Sequence, residues 1–385
     1  MSDYQQYEAR VIAYRRHLHQ YPEPSFEEYE TAKYIREILH SMEHCEVIEL
    51  TETGTVGVFN KGGRKKIGLR ADIDALPIDE DRDDIAFVSQ NEGLMHACGH
   101  DGHTAILLGA AHYFNDHYDE LDNEVHCIFQ HAEELIPGGA RELVETGYFE
   151  GFDFIYGHHL WAQLPLGLID VKPGPASANS DIYAIEIQGK GGHASRPEGC
   201  IDPVLIGSRF VESLQSIDSR NISSYDSAVV SNTLFQAGAI GSLNVIPDKV
   251  VLGGSVRTTT EENRKLIKGK IEQHLKHICE MHGATFKMDY TIGYSAVYNE
   301  EKHTEWIKAL AESLYPERVI TDPPMMGGED FSAFNQVAPC VYTFIGTGST
   351  GFDYQHHHPK FGLNEDGFEA GFLMFIEVAT KYQGL

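Results

Sequence analysis

Several features that define large classes of proteins are scarce or missing in this sequence. Its 385 residues contain 30 Lys and Arg against 58 Asp and Glu, which gives a formal net charge of −28. Such an acidic chain repels phosphate backbones and anionic lipids, so we expect neither a nucleic-acid partner nor a membrane partner. No apolar run approaches the roughly 18 residues that span a bilayer, and the first ten residues show no secretory signal.

Cysteine is also rare, and its spacing shows no pairs. Scattered single cysteines are typical of reduced thiols rather than of a disulfide framework, so we expect a cytoplasmic protein. The six positions are Cys45, Cys98, Cys127, Cys200, Cys279 and Cys340.

Common catalytic motifs are absent as well. There is no H-E-x-x-H, no G-x-S-x-G and no Walker phosphate loop, which disfavours a single-zinc helix protease, a serine hydrolase and a P-loop enzyme. Residues 189–194 fit G-x-G-x-x-A after a predicted strand. However, residues 195–197 (Ser-Arg-Pro) separate them from the next predicted helix, whereas a dinucleotide fingerprint opens directly into a helix.

Histidine, in contrast, is abundant, with 21 residues. Five segments combine His, Cys or carboxylates near predicted apolar elements, and each of them alone is a weak signal. Together they supply one Cys, several His and several carboxylates, which is enough for two metal ions that share a bridging ligand. The segments are MHACGHDGH (95–103), FQHAEE (129–134), YGHHLW (156–161), MMGGEDF (325–331) and QHHHPKF (355–361).

The order of predicted elements indicates an α/β protein. Helical spacing at 26–41, 104–116 and 138–147 alternates with short apolar strands at 55–59, 66–70 and 124–130. This alternation predicts a domain with a mixed, largely parallel sheet flanked by helices.

Residues 181–292 follow a different order, β-α-β-β-α-β, which is ferredoxin-like. We interpret this α+β domain as an insertion, so that residues 1–178 and 293–385 form the larger domain, which carries the five candidate metal-binding segments, and residues 179–292 form the inserted domain. Its predicted strands are 182–188, 228–236, 249–257 and 284–292, and its predicted helices are 202–217 and 261–281.

Ten ordered motifs resemble those of the dinuclear metallo-amidohydrolases, the group that includes aminoacylases, hippurate hydrolases, indole-acetyl-amino-acid hydrolases and N-acetyldiaminopimelate deacetylases. The likeness covers nearly the whole chain. The motifs are RRHLHQYPEPSFEE (15–28), LRADIDALP (69–77), HACGHDGH (96–103), FQHAEE (129–134), GHHLW (157–161), GKGGHASRP (189–197), NVIPD (244–248), SVRT (255–258), GGEDF (327–331) and HHPKF (357–361).

The resemblance implies a set of metal ligands and a general base. Glu133 matches the base, and Asp72 and Asp74 match a segment that supports the ligands. The neighbours His158 and His358 remain open as alternatives to His159 and His357, because this sequence places extra histidines beside both. The implied ligands of two divalent ions, zinc or manganese, are Cys98 as the bridge, His100, Glu134, His159 and His357.

The resemblance also assigns a role to the inserted domain, which would act as a lid and form a homodimer or higher homo-oligomer. His193 would complete the oxyanion site of the partner subunit and so act on the substrate held there. Asn244 and Arg257 would bind the free carboxylate of the substrate, although Arg257 could equally be a solvated strand-end side chain.

These assignments imply an aminoacylase-like or carboxypeptidase-like hydrolase that cleaves the amide bond of N-acyl-amino acids or small dipeptides, with a metal-activated water and a Glu base. Two alternatives remain open at this point. One is a peptidase that acts on larger peptides. The other is a metal-binding member of the family without catalysis.

Overall fold

The computed structural model describes residues 3–385, and in that range the strands and helices have the following bounds. The strands are β1 Glu46–Glu49, β2 Thr55–Phe59, β3 Lys66–Asp72, β4 Glu124–Gln130, β5 Phe154–Pro165, β6 Ile169–Asp170, β7 Gly174–Pro175, β8 Asn179–Gln188, β9 Gly192–His193, β10 Ala228–Ala237, β11 Val245–Ile246, β12 Lys249–Thr258, β13 Thr285–Ile292, β14 Tyr298–Asn299, β15 Val319–Ile320 and β16 Cys340–Gly348. The helices are α1 Tyr4–Gln20, α2 Tyr29–His40, α3 His100–Asp116, α4 Gly139–Glu145, α5 Pro203–Asn221, α6 Glu261–His282, α7 Glu301–Leu314 and α8 Phe368–Lys381.

The described chain divides into two compact units. The first comprises residues up to Ala176 together with Val297–Pro323 and Asp330–Leu385. The second comprises Ser177–Ala296 together with Pro324–Glu329.

The first unit is built on an eight-stranded sheet in the order β1-β2-β4-β3-β5-β16-β6-β15. The central neighbours β4, β3, β5 and β16 are parallel, whereas β1, β2 and β4 pair antiparallel. Residues of β3, β5 and β16 are almost entirely buried, as expected for parallel strands covered by helices on both faces. The predicted mixed, largely parallel sheet with flanking helices is therefore confirmed.

Helix α3 is the most deeply buried helix segment of this unit, with nearly all of its side chains inside. Its apolar residues join one core with side chains from α1, α8 and the sheet. At Gly109, a Cβ atom would lie 2.4 Å from a methyl carbon of Val11, so only glycine permits the close approach of α1 and α3. Packing of these helices fixes the position of the loop that precedes α3.

The second unit has a four-stranded antiparallel sheet in the order β10-β12-β8-β13, with α5 and α6 contributing to its core. Its main elements follow the β-α-β-β-α-β order expected from the sequence. Helix α5 begins after Asp202, whose carboxylate accepts hydrogen bonds from Val204 and Leu205 N–H groups. No helix among residues 3–385 combines the length and the apolar character needed to cross a bilayer.

One predicted helix is shorter than its pattern suggested. Apolar spacing extends over residues 26–41, but α2 begins at Tyr29. Phe26 has a left-handed backbone with φ 67°, which a helix cannot contain. Residues 24–27 instead form a turn, closed by a hydrogen bond from the Glu27 N–H to the Pro24 carbonyl oxygen at 3.0 Å, and this turn lies close to the site described next.

Candidate metal centre

Two aspartates lie at the end of β3, where the strand leaves the sheet. Asp72 is fully buried and accepts hydrogen bonds from Arg70 at 2.6 Å and His103 Nδ1 at 2.6 Å. Burial would raise its pKa, but His100, Arg70 and His103 outweigh burial and hold the pKa of Asp72 well below its usual range. Asp72 is therefore a fixed negative charge beneath the site.

Asp74 connects two of the predicted ligands. His100 Nδ1 lies 2.9 Å from the Asp74 carbonyl oxygen and 3.1 Å from its Oδ1. The other carboxylate oxygen of Asp74 accepts the Glu134 N–H at 3.0 Å and the Ser25 hydroxyl at 2.7 Å. One buried carboxylate thus orients both His100 and the backbone of Glu134.

His100 follows Cys98 at the start of α3, and its Nε2 atom is buried without a hydrogen-bond partner. This atom lies 3.7 Å from Asp72 Oδ2 and 4.0 Å from Glu134 Oε1. Burial lowers the pKa of His100, but Asp72, Asp74 and Glu134 together raise it to about 10. The pocket therefore favours a positive charge at Nε2.

The surroundings of Cys98 disfavour the negatively charged form of its side chain. Burial, followed by the carboxylates of Glu134, Glu133 and Asp72, raises the pKa of the Cys98 thiol well above its usual range. A nearby cation reverses such a shift, because a metal stabilises the thiolate.

Glu133 and Glu134 follow β4 through a tight turn at Ala132, where φ is 49°. Glu134 Oε1 is buried and accepts no hydrogen bond, although His357 Nε2 lies 3.3 Å away. Glu133 is also buried, and its carboxylate lies within 4.8 Å of His100 and Glu134 donor atoms. Two adjacent carboxylates thus face the same space.

The neighbouring histidines of β5 point to opposite faces of the strand, as strand geometry requires. His159 Nε2 lies 3.5 Å from Cys98 Sγ, while its Nδ1 bonds to the Leu160 carbonyl oxygen at 2.8 Å. The His158 ring packs 4.3 Å from the Phe375 ring, and neither of its nitrogens has a hydrogen-bond partner. His159 is thus the member of the pair that lies beside Cys98.

Of the neighbouring histidines His357 and His358 in the C-terminal loop, one also lies at the site and the other lies away from it. His357 lies beside Glu134, and its backbone N–H bonds to the Ala97 carbonyl oxygen at 2.8 Å. His358 stacks on Tyr354, with ring centroids 4.6 Å apart, and belongs to none of the groups that could hold a metal ion.

His356 is a residue of this site that the sequence analysis did not select. Its Nδ1 lies 3.8 Å from Cys98 Sγ, its Nε2 accepts the Ala162 N–H at 3.2 Å, and its ring stacks on Trp161. The run of three histidines at 356–358 was the available signal, but spacing alone could not rank its members.

The donor atoms of the first unit suit metal ions. Four sets of this unit each bring their donors within 4.8 Å, and Cys98 belongs to two of them. Most of the members are buried or half-buried, whereas His357 is exposed. Thiolate, imidazole and carboxylate donors are those of zinc sites, and a shared thiolate suits two ions. The unpaired Nε2 of His100 and Oε1 of Glu134 face this space, which is the expected condition of ligand atoms. The sets are Cys98–Glu134–His357, Cys98–His159–His356, His100–Glu133–Glu134 and Asp72–His100–His103.

The remaining predicted residues lie in the second unit. His193 is exposed in the short strand β9, where its Nδ1 lies 2.8 Å from the Ser195 hydroxyl. Asn244 is close to it, because its carbonyl oxygen accepts the Ala194 N–H at 3.0 Å. Arg257 in β12 is half-buried, and it donates to the carbonyl oxygens of Asp181 and Val256.

Comparison with known proteins adds independent information. The family profile described as Peptidase family M20/M25/M40 matches residues 68–381. The chain is 43% identical over 293 residues to an N-acyl-L-amino acid amidohydrolase of Geobacillus stearothermophilus, covering 76% of this chain and 78% of that protein. It is 39% identical over 377 residues to an N-acetylcysteine deacetylase of Bacillus subtilis, covering 97% of both.

A solved structure is similar along the whole chain. The Bacillus subtilis YXEP protein, described as a dinuclear metal binding peptidase from the M20 family, has a TM-score of 0.84 to this chain at 34% identity. The similarity covers 98% of both chains.

Proposed function

The chain belongs to peptidase family M20/M25/M40 and is a hydrolase of amide bonds, and from this premise we propose that it cleaves N-acyl-amino acids or small dipeptides. The observation that carries the proposal is the pair Glu133 and Glu134, whose carboxylates join overlapping sets of donor atoms with Cys98, His100 and His357. This arrangement offers metal ligands and a separate carboxylate that can act as a base.

The residues proposed to hold two divalent ions are Cys98, His100, Glu134, His159 and His357. When bound, the two ions lower the pKa of a water toward neutrality and polarise the amide carbonyl. The thiolate favours zinc, while the carboxylates also allow manganese. Elemental analysis of active protein should find about two ions per chain, and a single ion would contradict a dinuclear site.

Glu133 is the proposed general base. It takes a proton as the water oxygen bonds to the carbonyl carbon, and it returns that proton to the amide nitrogen as the C–N bond breaks. The products are a carboxylic acid and an amine, so one water is consumed for each bond cleaved. The buried position of Glu133 supports this role, because a base shielded from bulk water keeps its proton for the reaction.

The second unit is proposed to be a lid and dimerisation domain that supplies His193 to the oxyanion site. Arg257 and Asn244 are proposed to bind the free carboxylate of the substrate. A guanidinium can bind both oxygens of a carboxylate, and burial lowers the pKa of Arg257 because its charge lacks full solvation. A substrate carboxylate would compensate that charge.

The partner proposed for the second unit is another copy of this chain. Strand β10 is the outer strand of its sheet, and residues 227–247 contain no charged residue although the chain carries −28 overall. Two acidic copies repel least where an uncharged surface meets its equal, and an unpaired edge strand needs cover. Exposed apolar side chains on this segment are Val229, Leu234, Phe235, Ile240, Leu243 and Val245.

We also propose a cytoplasmic location. The six cysteines are all free, and Cys127, Cys279 and Cys340 are buried in the cores as single thiols. Unpaired thiols of this kind are typical of reducing compartments.

The experiment that tests the function is a hydrolysis panel of N-acetyl, N-benzoyl and indole-acetyl amino acids together with dipeptides, run with zinc and with manganese. We expect at least one acyl class or dipeptide to be cleaved, and chelation to abolish that cleavage. Cleavage of longer peptides alone would contradict the proposed substrate class.

A further inference from the structure

Glu28 is a buried acidic residue that the mechanism does not use. It lies at the start of α2 in the first unit, and its side chain is fully buried. Burial and the nearby carboxylate of Asp74 raise the pKa of Glu28 to about 7. Keeping a carboxyl group inside a protein at this cost calls for an explanation.

Its contacts supply one. Glu28 Oε1 accepts the N–H of Phe26 at 3.0 Å and the N–H of Ala132 at 2.7 Å, while Oε2 accepts the Thr53 hydroxyl at 3.0 Å. Phe26 and Ala132 both have a left-handed backbone, with φ of 67° and 49°. The same oxygen therefore holds two backbone segments in a conformation that costs a non-glycine residue free energy.

The second of these segments carries the catalytic carboxylates. Ala132 directly precedes Glu133 and Glu134, so its backbone angles set the directions in which both side chains leave the end of β4. The segment is held from the other side as well, because Asp74 accepts the Glu134 N–H. Ser25, three residues before Glu28, donates to that same Asp74 carboxylate. Residues of the segment before α2 thus bond to Glu28 and to Asp74, the two side chains that hold the backbone of the carboxylate pair.

We propose that Glu28 is a positioning residue that holds the left-handed turn at Ala132 and thereby fixes the directions of the Glu133 and Glu134 carboxylates. The inference rests on the proposed function in one respect only, since it takes Glu134 as a metal ligand and Glu133 as the base. Glu28 needs a carbonyl-type oxygen for this role and does not need a negative charge.

The test therefore compares variants that keep the side-chain oxygen with variants that remove or withdraw it. Glu28→Gln keeps an oxygen for the two N–H groups, and its amide can donate to the Thr53 hydroxyl. Glu28→Ala removes the oxygen, and Glu28→Asp withdraws it by one methylene. The matched control is Glu23→Ala, because the Glu23 carboxylate also accepts two backbone N–H groups, those of Glu30 and Thr31, but is not hydrogen-bonded to Ala132.

The first measurement is the zinc affinity of metal-stripped protein, determined by competition with a chromophoric chelator, with folding checked by circular dichroism and Tm. Loss of a residue that orients a metal ligand weakens affinity by about 10- to 100-fold, so we expect a loss of about tenfold or more in Glu28→Ala and in Glu28→Asp. Glu28→Gln and Glu23→Ala should stay within about threefold of the original chain, even if the control lowers Tm.

The second measurement is the split between kcat and KM on any substrate cleaved in the panel. The role predicts a lower kcat in Glu28→Ala with little change in KM, and recovery in Glu28→Gln. If Glu28→Ala does not fold, the comparison of Glu28→Asp with Glu28→Gln still tests whether the position of the side-chain oxygen matters.

Folded Glu28→Ala protein with unchanged zinc affinity would overturn the inference, and so would equal losses in Glu23→Ala and Glu28→Ala. If the original chain cleaves nothing in the panel, the amidohydrolase proposal fails by itself. The zinc measurement still tests Glu28 in that case.

Discussion

At the scale of single residues, hydrogen bonds to the backbone orient the histidines beside Cys98 and Glu134. His100 and His159 each direct Nδ1 to a carbonyl oxygen, so Nδ1 carries the hydrogen and Nε2 faces the site. This is the arrangement that a metal-ligating imidazole requires. The carboxylates that favour a proton on His100 Nε2 favour a metal ion there for the same reason.

Replacement of His159 by Ala should remove more bound metal than replacement of His158. His159 Nε2 lies beside Cys98 Sγ, whereas the His158 ring is packed against Phe375 on the other face of β5. Metal content of the two purified variants checks this expectation. Greater metal loss from the His158 variant would show that His158, and not His159, is the ligand.

Glu133→Gln should lower kcat by about 10² or more and leave the metal content unchanged, because the amide keeps the shape of the side chain but cannot accept a proton. Stopped hydrolysis assays and elemental analysis of the same sample measure both quantities. Normal turnover in the metal-loaded variant would contradict the role of Glu133 as the base.

Glu28 should make the stability of the chain depend on pH. Its pKa rises from 4.5 to about 7 on folding, so between these values the native state binds more protons than the unfolded state, and stability falls as pH rises. Glu28→Gln has no such group, so at pH 8 it should exceed the original chain in unfolding free energy by about 3 kcal/mol, with little difference at pH 4. Urea unfolding at both pH values measures this, and a constant difference would contradict it.

The residue types of the site were predictable from sequence, but their neighbours were not. The patterns selected Cys98, Glu133 and Glu134, which the structure places in one space. Spacing could not reveal His356, because its position beside Cys98 depends on a loop that folds over from the C-terminal part of the chain. The support from Glu28 also joins residues that are 104 positions apart.

At the scale of elements, periodicity worked where one side of a helix or a whole strand is apolar. The predicted strands at 55–59 and 124–130 match β2 and β4. The sequence pattern did not predict helix α1, because the buried face of this helix includes the polar residues Arg15 and His19, which pair with Asp101. Helix α3 begins at His100 rather than at 104, because the polar residues of its first turn are buried among site residues instead of facing water.

Helix α6 of the second unit is tied to β8 by a buried ion pair, which gives a prediction at this scale. Asp181 accepts hydrogen bonds from Arg264, Tyr290 and the Gly293 N–H. Asp181→Ala would leave Arg264 buried without its partner, and breaking such a pair costs about 3–5 kcal/mol. Hydrogen exchange of α6 and β8 amides should accelerate by about 100-fold or more.

The exposed Asp289 on β13 is the matched control for this change. Asp289→Ala should leave exchange in α6 and β8 unchanged. Equal protection in the Asp181 variant would show that the ion pair does not hold the helix to the sheet.

At the scale of the whole molecule, the proposed use of His193 across a dimer can be tested by complementation. A His193→Ala chain and a Glu133→Gln chain are each expected to be nearly inactive. After subunit exchange, a mixed dimer would contain one site with both residues intact, so activity should reappear. Hydrolysis assays and native mass spectrometry measure activity and mixing together. Mixed dimers that remain inactive would contradict the cross-subunit role.

The division of the first unit into distant chain segments has a consequence for synthesis on the ribosome. Strand β5 pairs on one side with β16, which begins 175 residues after β5 ends. At about 5–20 residues per second, β16 is made roughly ten to thirty-five seconds later. Until then β5 is an apolar edge strand without its neighbour. The second unit is made entirely within that interval, and so it can fold while the nascent first unit still needs protection from aggregation.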